Sequence, residues 1–191
     1  MDSHPHTKPE PRLISLRLFP VMLIALAVTI AVTFVLINLY AYIWQYRFPD
    51  QQIMTNLAGS TWGFLMLMAA LAIVHELLHG ITAAHYVATG WKGIKFGIMW
   101  QKFASPYCHC SEPMQRSQYQ WFCLMPFWVL TVGLITIGFI VGVFPLVGWG
   151  IINGCASCAD VWMAWKVRKL PRNTMVLDSP TEIGCLVYDM Q

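Results

Sequence analysis

The sequence predicts an all-α polytopic membrane protein with four transmembrane helices and a small cytoplasmic β-hairpin-like loop between the second and third. Three observations carry this expectation. The 191 residues are 57% hydrophobic and only 11% charged, whereas a soluble domain carries about 25% charged residues. The apolar residues gather into stretches of roughly 20 or more, the length a spanning helix needs. The basic residues avoid those stretches and collect on one side of the topology they imply. A net charge of +3 is too small to argue for nucleic acid. The lipid bilayer is the first partner expected. The six cysteines, Cys108, Cys110, Cys123, Cys155, Cys158 and Cys185, are not the framework of a small secreted domain.

Residues 1–17 are polar and Pro-rich and read as a disordered cytoplasmic tail, with His4 and His6 in it. Residues 18–44 form the first span, too long for the ~7–15-residue core of a signal peptide. Tyr40, Tyr42, Trp44 and Tyr46 crowd its far end, as an interfacial aromatic belt does. Arg47 to Asn56 is a polar loop. The second span covers about 61–84. A long polar connection follows, in which Ile94, Phe96, Ile98 and Trp100 alternate with smaller or polar residues, as in a half-buried strand. Phe103-Ala104-Ser105-Pro106-Tyr107 returns it as a hairpin. The third span covers about 121–143, and Pro126 predicts a kink in it. Phe144-Pro145-Leu146 makes a tight turn into the fourth span, about 147–165. The membrane domain is thus 18–170. Residues 171–191 form a cytoplasmic C-terminal segment ending in the strand-like Gly184-Cys185-Leu186-Val187-Tyr188.

Four spans put both termini on one side. With that side inside the cell membrane, the inside segments hold Lys8, Arg12, Arg17, Lys92, Lys95, Lys102, Arg116, Lys166, Arg168, Lys169 and Arg172, and the outside loops hold only Arg47. The positive-inside rule selects this orientation. His75 then lies 14 residues into the second span, ~21 Å along a ~30 Å core at ~1.5 Å per residue. Asp160 lies 13 residues into the fourth span, which runs in the same direction, at nearly the same depth.

The chemistry lies in His75-Glu76-Leu77-Leu78-His79. Histidines at i and i+4 share one helix face and can reach one metal ion, and the adjacent glutamate can take a proton from the attacking water. Leaving aside thiols and tyrosines, the four spans hold only four ionisable residues: His75, Glu76, His79 and Asp160. Such groups are costly in a bilayer and mark function. The expected site is Zn²⁺ on His75, His79 and Asp160 with an open fourth position, and Glu76 as the catalytic acid–base.

The motif and Asn153-Gly154-Cys155-Ala156-Ser157-Cys158-Ala159-Asp160 resemble the membrane-embedded zinc metalloproteases of the site-2 protease type. Together with Tyr107-Cys108-His109-Cys110-Ser111-Glu112-Pro113 and the tail from Asp178-Ser179-Pro180 to Tyr188, they are most similar to a family of small, mostly bacterial membrane proteins known as putative zincin peptidases. The likeness covers about residues 60–190. In site-2 proteases an Asn-Pro-x-Pro run precedes the third ligand. Here Asn153 precedes Asp160 by seven residues, the prolines are absent, and Val161 stands where a glycine is usual. The resemblance implies that the segment 93–110 aligns an extended substrate by strand addition, which makes Ile94 and Phe96 candidate substrate contacts. Asn153 is a further candidate, facing either substrate backbone or a neighbouring helix.

Secondary metal candidates are His85, Cys108, His109 and Cys110. His85 has the spacing of a third metzincin ligand, but Thr82 stands where that geometry needs glycine, and His85 falls at the helix end. The function expected is a membrane-embedded zinc metalloprotease acting on a peptide or membrane-protein substrate within or near the bilayer. The alternative is a non-catalytic membrane metal-binding or interaction protein on the same scaffold. The intact Glu76 argues against that alternative, which has no need of a base.

Overall fold

The computed structural model describes residues 11–16, 18–44, 59–99, 105–179 and 184–188. The expected contributions of His4, His6, Tyr46, Arg47 and Phe103 lie outside these residues. The protein is mostly helical. Helix α1 is Leu18–Trp44, α2 is Thr61–Tyr86, and α3 is Arg116–Pro126, continued by a π-helical turn Phe127–Val132 and α4, Gly133–Val141. Helices α5 (Phe144–Ala156) and α6 (Cys158–Val167) follow.

Three of these runs, Phe19–Trp44, Thr61–Tyr86 and Arg116–Val141, are long and apolar enough to cross a membrane. The sequence expectation of a single fourth helix over 147–165 is not met. That region is two shorter helices that meet at Ser157, where ψ is 2° instead of the helical value near −42°. Large apolar side chains stay exposed along α1 and α2, including Phe34 at 69%, Trp62 at 78% and Ile73 at 66%. A surface of this kind is stable only against hydrocarbon, and the chain is a membrane protein.

The all-α expectation needs a second correction. Two small antiparallel sheets are present. One pairs β2 (Ile94–Met99) with β3 (Ser105–Cys110), Phe96 opposite Cys108, as the alternating pattern predicts. The other has the order β1-β6-β5-β4, built from Arg12–Ser15, Gly184–Tyr188, Met175–Asp178 and Met114–Gln115. Residues 12–15 are therefore a strand, although the sequence places them in the tail. Their partners lie some 170 residues away (Arg12 faces Val187), so no local pattern reveals the pairing.

This second sheet ties three helix ends together. β1 leads into α1, β4 into α3, and β5 follows α6. Those three helix ends therefore gather at one end of the molecule. The α5–α6 pair returns the chain across the distance covered by 116–141. The buried core lies at the same end, where Ala83, Tyr119, Phe122, Met163 and Val167 pack against Val176, Cys185 and Val187. At the opposite end Tyr40, only 1% exposed, packs its ring against Phe139 and Phe144. Trp44 Nε1 donates to the Phe139 carbonyl at 3.3 Å. Tyr40 thus joins an aromatic cluster that ties α1 to the α4–α5 turn.

Candidate metal centre

Helix α2 starts on Ser60, whose hydroxyl caps the Gly63 amide at 3.0 Å. Its inward stripe is Gly63, His75, His79, Gly80, Thr82 and Ala83, and the i, i+4 spacing sets both imidazoles on that stripe. Opposite them, glycines let α5 approach the third helical run. A Cβ on Gly150 would lie 3.0 Å from the Thr131 carbonyl, and one on Gly138 would lie 3.0 Å from the Val147 nitrogen. Asn153, one turn past Gly150, is thereby brought into the protein interior at 1% exposure. The break at Ser157 then places Asp160 in the first turn of α6, where the helix dipole favours a carboxylate.

His75 Nε2 lies 3.3 Å from Asp160 Oδ2, and His79 Nε2 lies 3.7 Å from the same oxygen. The three ligand atoms fall within 4.8 Å of one another. Ligands about 2.0–2.1 Å from a tetrahedral zinc are about 3.3 Å apart, a value that the two histidine-to-carboxylate distances approach.

The other ring nitrogens decide whether the chemistry fits as well. His79 Nδ1 is 2.7 Å from the Phe122 carbonyl. A carbonyl only accepts, so this nitrogen carries the proton. The carbonyl is available because Pro126, four residues on, has no N–H to close the helical bond to it. His75 Nδ1 is 3.0 Å from Asn153 Oδ1. The Asn153 amide nitrogen donates to the Pro126 carbonyl at 3.2 Å, Thr131 Oγ1 at 3.0 Å and Ser157 Oγ at 3.3 Å. The Pro126 carbonyl fixes which way this amide faces, so its oxygen accepts from His75. Both histidines thereby carry a proton on Nδ1, and each ring in its neutral form presents a lone pair at Nε2. Two such lone pairs and a carboxylate converging on one point suit a metal ion. One proton satisfies one pair, whereas a metal ion satisfies all three, and partners of this kind on the outer nitrogens are what metal-bound histidines ordinarily have.

Glu76, half-buried, sits one residue round the helix from His75, with the Cys108 backbone amide hydrogen-bonded to its carboxylate. Strand β3 therefore crosses α2 at the proposed base. Phe96 packs its ring over Gly80, on α2 beside His79, and is half exposed, while Ile94 is buried.

The family model described as "Putative zincin peptidase" matches residues 68–175. The chain belongs to this family. The matched stretch contains His75, Glu76, His79, the β2–β3 hairpin and Asp160, and the family description is that of a zinc metallopeptidase. No curated protein and no solved structure matches the chain.

The remaining candidates are placed elsewhere. His85 is exposed at the end of α2 with its ring against Tyr86. Asn153 uses its amide on protein groups. Cys108 and Cys110 are buried, and burial pushes both thiols above their usual range, with the Glu76 charge adding to the effect at Cys108. His109 Nδ1 donates to Asp178 Oδ2 at 3.0 Å, and the Tyr119 hydroxyl donates to Asp178 Oδ1 at 3.4 Å. Burial holds the Asp178 carboxyl above its ordinary range despite these partners. Sequence reasoning missed Phe122, Pro126, Tyr119 and Asp178 as supporting groups. Only Pro126 carried a signal: a proline inside a span frees a carbonyl four residues earlier.

Proposed function

We propose that the protein is a membrane-embedded zinc metalloprotease that hydrolyses peptide bonds within or near the bilayer. The observation that carries this reading is the convergence of His75 Nε2, His79 Nε2 and Asp160 Oδ2, with both outer nitrogens locked, beside Glu76. Zinc bound to those three atoms supplies a Lewis acid that lowers the pKa of an attacking water and polarises the scissile carbonyl. Glu76 takes the proton as the water oxygen bonds to the carbonyl carbon, holds it on a carboxylate oxygen, and gives it to the amine as the C–N bond breaks. The Cys108 amide holds that carboxylate in place. Asn153 and the Phe122 carbonyl keep the histidine rings from turning.

The substrate class is an extended peptide segment of a membrane protein. Strand β2 has no partner on its outer edge among the described residues, so it offers backbone groups for strand addition, with Phe96 as an apolar contact. The reading places both termini in the cytoplasm, with the protein in the cell membrane. Eleven of twelve basic residues support that side, and β1 pairs with β6 in a sheet shared with β4 and β5.

Glu76→Gln is expected to keep zinc at parent stoichiometry and to lose peptide cleavage by about 10²–10⁴-fold, while His79→Ala and Asp160→Ala are expected to lose zinc. Elemental analysis of the purified chain and accumulation of uncleaved membrane proteins in a Glu76→Gln strain provide the readouts. A parent protein without zinc refutes the site. A zinc-loaded Glu76→Gln variant that cleaves at the parent rate refutes the mechanism.

A further inference from the structure

At the sheet end of the molecule, β1 and the end of α6 flank a shallow, open pocket of about 480 Å³. Arg12 and Ser15 line it from one side, and Lys166, Lys169 and Leu170 from the other. Three of its side chains are cations, and no carboxylate lines it among the described residues. Lys166 Nζ donates to the Ser15 carbonyl at 3.1 Å and so bridges the two walls. The Lys169 ammonium stands 4.1 Å from the centre of the Trp165 ring, which is exposed and lies beside Trp162.

The position of the pocket matters as much as its charge. β1 ends at Ser15 and the apolar helix α1 begins at Leu18. Phe19 and Met22, in the first two turns of that helix, are 74% and 56% exposed. The pocket therefore sits where the chain passes from its sheet into hydrocarbon. The paired tryptophans near the end of α6 suit the same interfacial level.

We propose that this pocket binds the phosphate of an anionic phospholipid headgroup, whose acyl chains continue along the exposed start of α1. Three like charges around one cavity repel one another, and an anion among them relieves that repulsion. Basic pockets beside membrane helices are suited to anionic headgroups, and the volume lies within the range of small-ligand sites. The exposed apolar start of α1, which follows β1 directly in the chain, distinguishes a lipid from free phosphate, which has no acyl chains to place along it. The site depends on the docking of β1. Ser15 pairs with Gly184, and a Cβ at position 184 would overlap the Ile14 carbonyl. Gly184→Ala therefore displaces the Arg12 wall without changing any charge. This inference needs only the chain's membrane character and is independent of the protease reading.

Native mass spectrometry of the full chain, equilibrated in detergent with equal phosphatidylcholine and phosphatidylglycerol, tests it. The parent is expected to retain phosphatidylglycerol with about tenfold preference or more. Arg12→Gln/Lys169→Gln and Gly184→Ala are expected to lose that preference, and Lys92→Gln/Lys95→Gln, whose cations lie away from the pocket, to keep it. Preference that survives in the Arg12→Gln/Lys169→Gln variant overturns the proposal, and that variant decides alone if Gly184→Ala does not fold. An equal fall in the Lys92→Gln/Lys95→Gln control also overturns it, because the attraction is then diffuse. Displacement of the lipid from the parent by millimolar inorganic phosphate overturns the lipid assignment in favour of a soluble phosphate ligand.

Discussion

Replacing Pro126 by alanine tests the link between a helix defect and the metal site. Alanine brings a backbone N–H to position 126, which closes the i to i−4 bond on the Phe122 carbonyl and turns that carbonyl back along the helix axis. His79 Nδ1, now 2.7 Å from it, loses its acceptor. The ring is then free to rotate and to carry its proton on either nitrogen. Loss of such an outer partner typically costs 10–100-fold in metal affinity, or ~1.4–2.7 kcal/mol. The same change removes an internal proline, which in a regular helix costs ~3 kcal/mol.

The two effects have opposite signs, and this makes the substitution informative. Zinc affinity, measured by competition with a chromogenic chelator on purified full-length chain, is expected to fall by 10–100-fold. Thermal stability of the metal-free chain, measured under excess chelator, is expected to stay level or rise. A folded variant that binds zinc within about threefold of the parent refutes the reasoning, since His79 is then held by something else. A parallel fall in zinc affinity and metal-free stability also refutes it, because Pro126 then serves packing alone.

Two further predictions concern the sheet end. Burial raises the Asp178 carboxyl above its ordinary value even with His109 3.0 Å away. Its protonated form is therefore favoured more strongly in the folded chain than in the unfolded one. That contribution to stability is present below the unfolded value, near pH ~3.9, and is lost as pH rises through the raised value. Thermal unfolding between pH 4 and 6 is expected to show a parent curve that declines relative to Asp178→Asn, and parallel curves sink the assignment. The thiols give a simpler check. Cys185 is pushed up to about 12 by burial, with Cys108 and Cys110 also raised. None of the three is expected to react with iodoacetamide at pH 8 in the folded chain, while all three react once it is denatured. Peptide mapping that finds the folded chain labelled as fully as the denatured one refutes this.

What was legible in the sequence and what was not divides along the range of the interactions. The three long helices announce themselves by unbroken apolar runs, and β2–β3 by alternation over neighbouring residues. The proximity of Asp160 to His75 and His79 was legible too, because few charges occur in the apolar stretches. The four-stranded sheet was hidden by its non-local pairing, and its strands are short: Met114–Gln115 is only two residues long. The break at Ser157 was hidden for a different reason. Serine is tolerated in helices, and its φ of −74° is ordinary; only ψ departs, and no residue type in the window demands that. Asn153 was visible as a polar residue in an apolar stretch, but its partner is set by Gly150 and Gly138, through how closely two helices approach.

The centre sits where the helices lose regularity. In hydrocarbon every backbone polar group must find a partner inside the protein, so irregular helix persists only where the freed groups are used. Here the Phe122 carbonyl, left open by Pro126, holds His79. The Pro126 carbonyl, at the entrance to the π-helical turn, holds Asn153 and through it His75. Asp160 stands in the first turn after the Ser157 break, at the dipole end that favours a carboxylate. All three proposed ligands are thus fixed by departures from ideal helix, in the 116–141 run and in the α5–α6 pair. A straight α3 or a continuous α5–α6 would satisfy its own backbone and leave the imidazoles of a regular α2 without oriented partners, in the environment where an unpartnered polar group costs most.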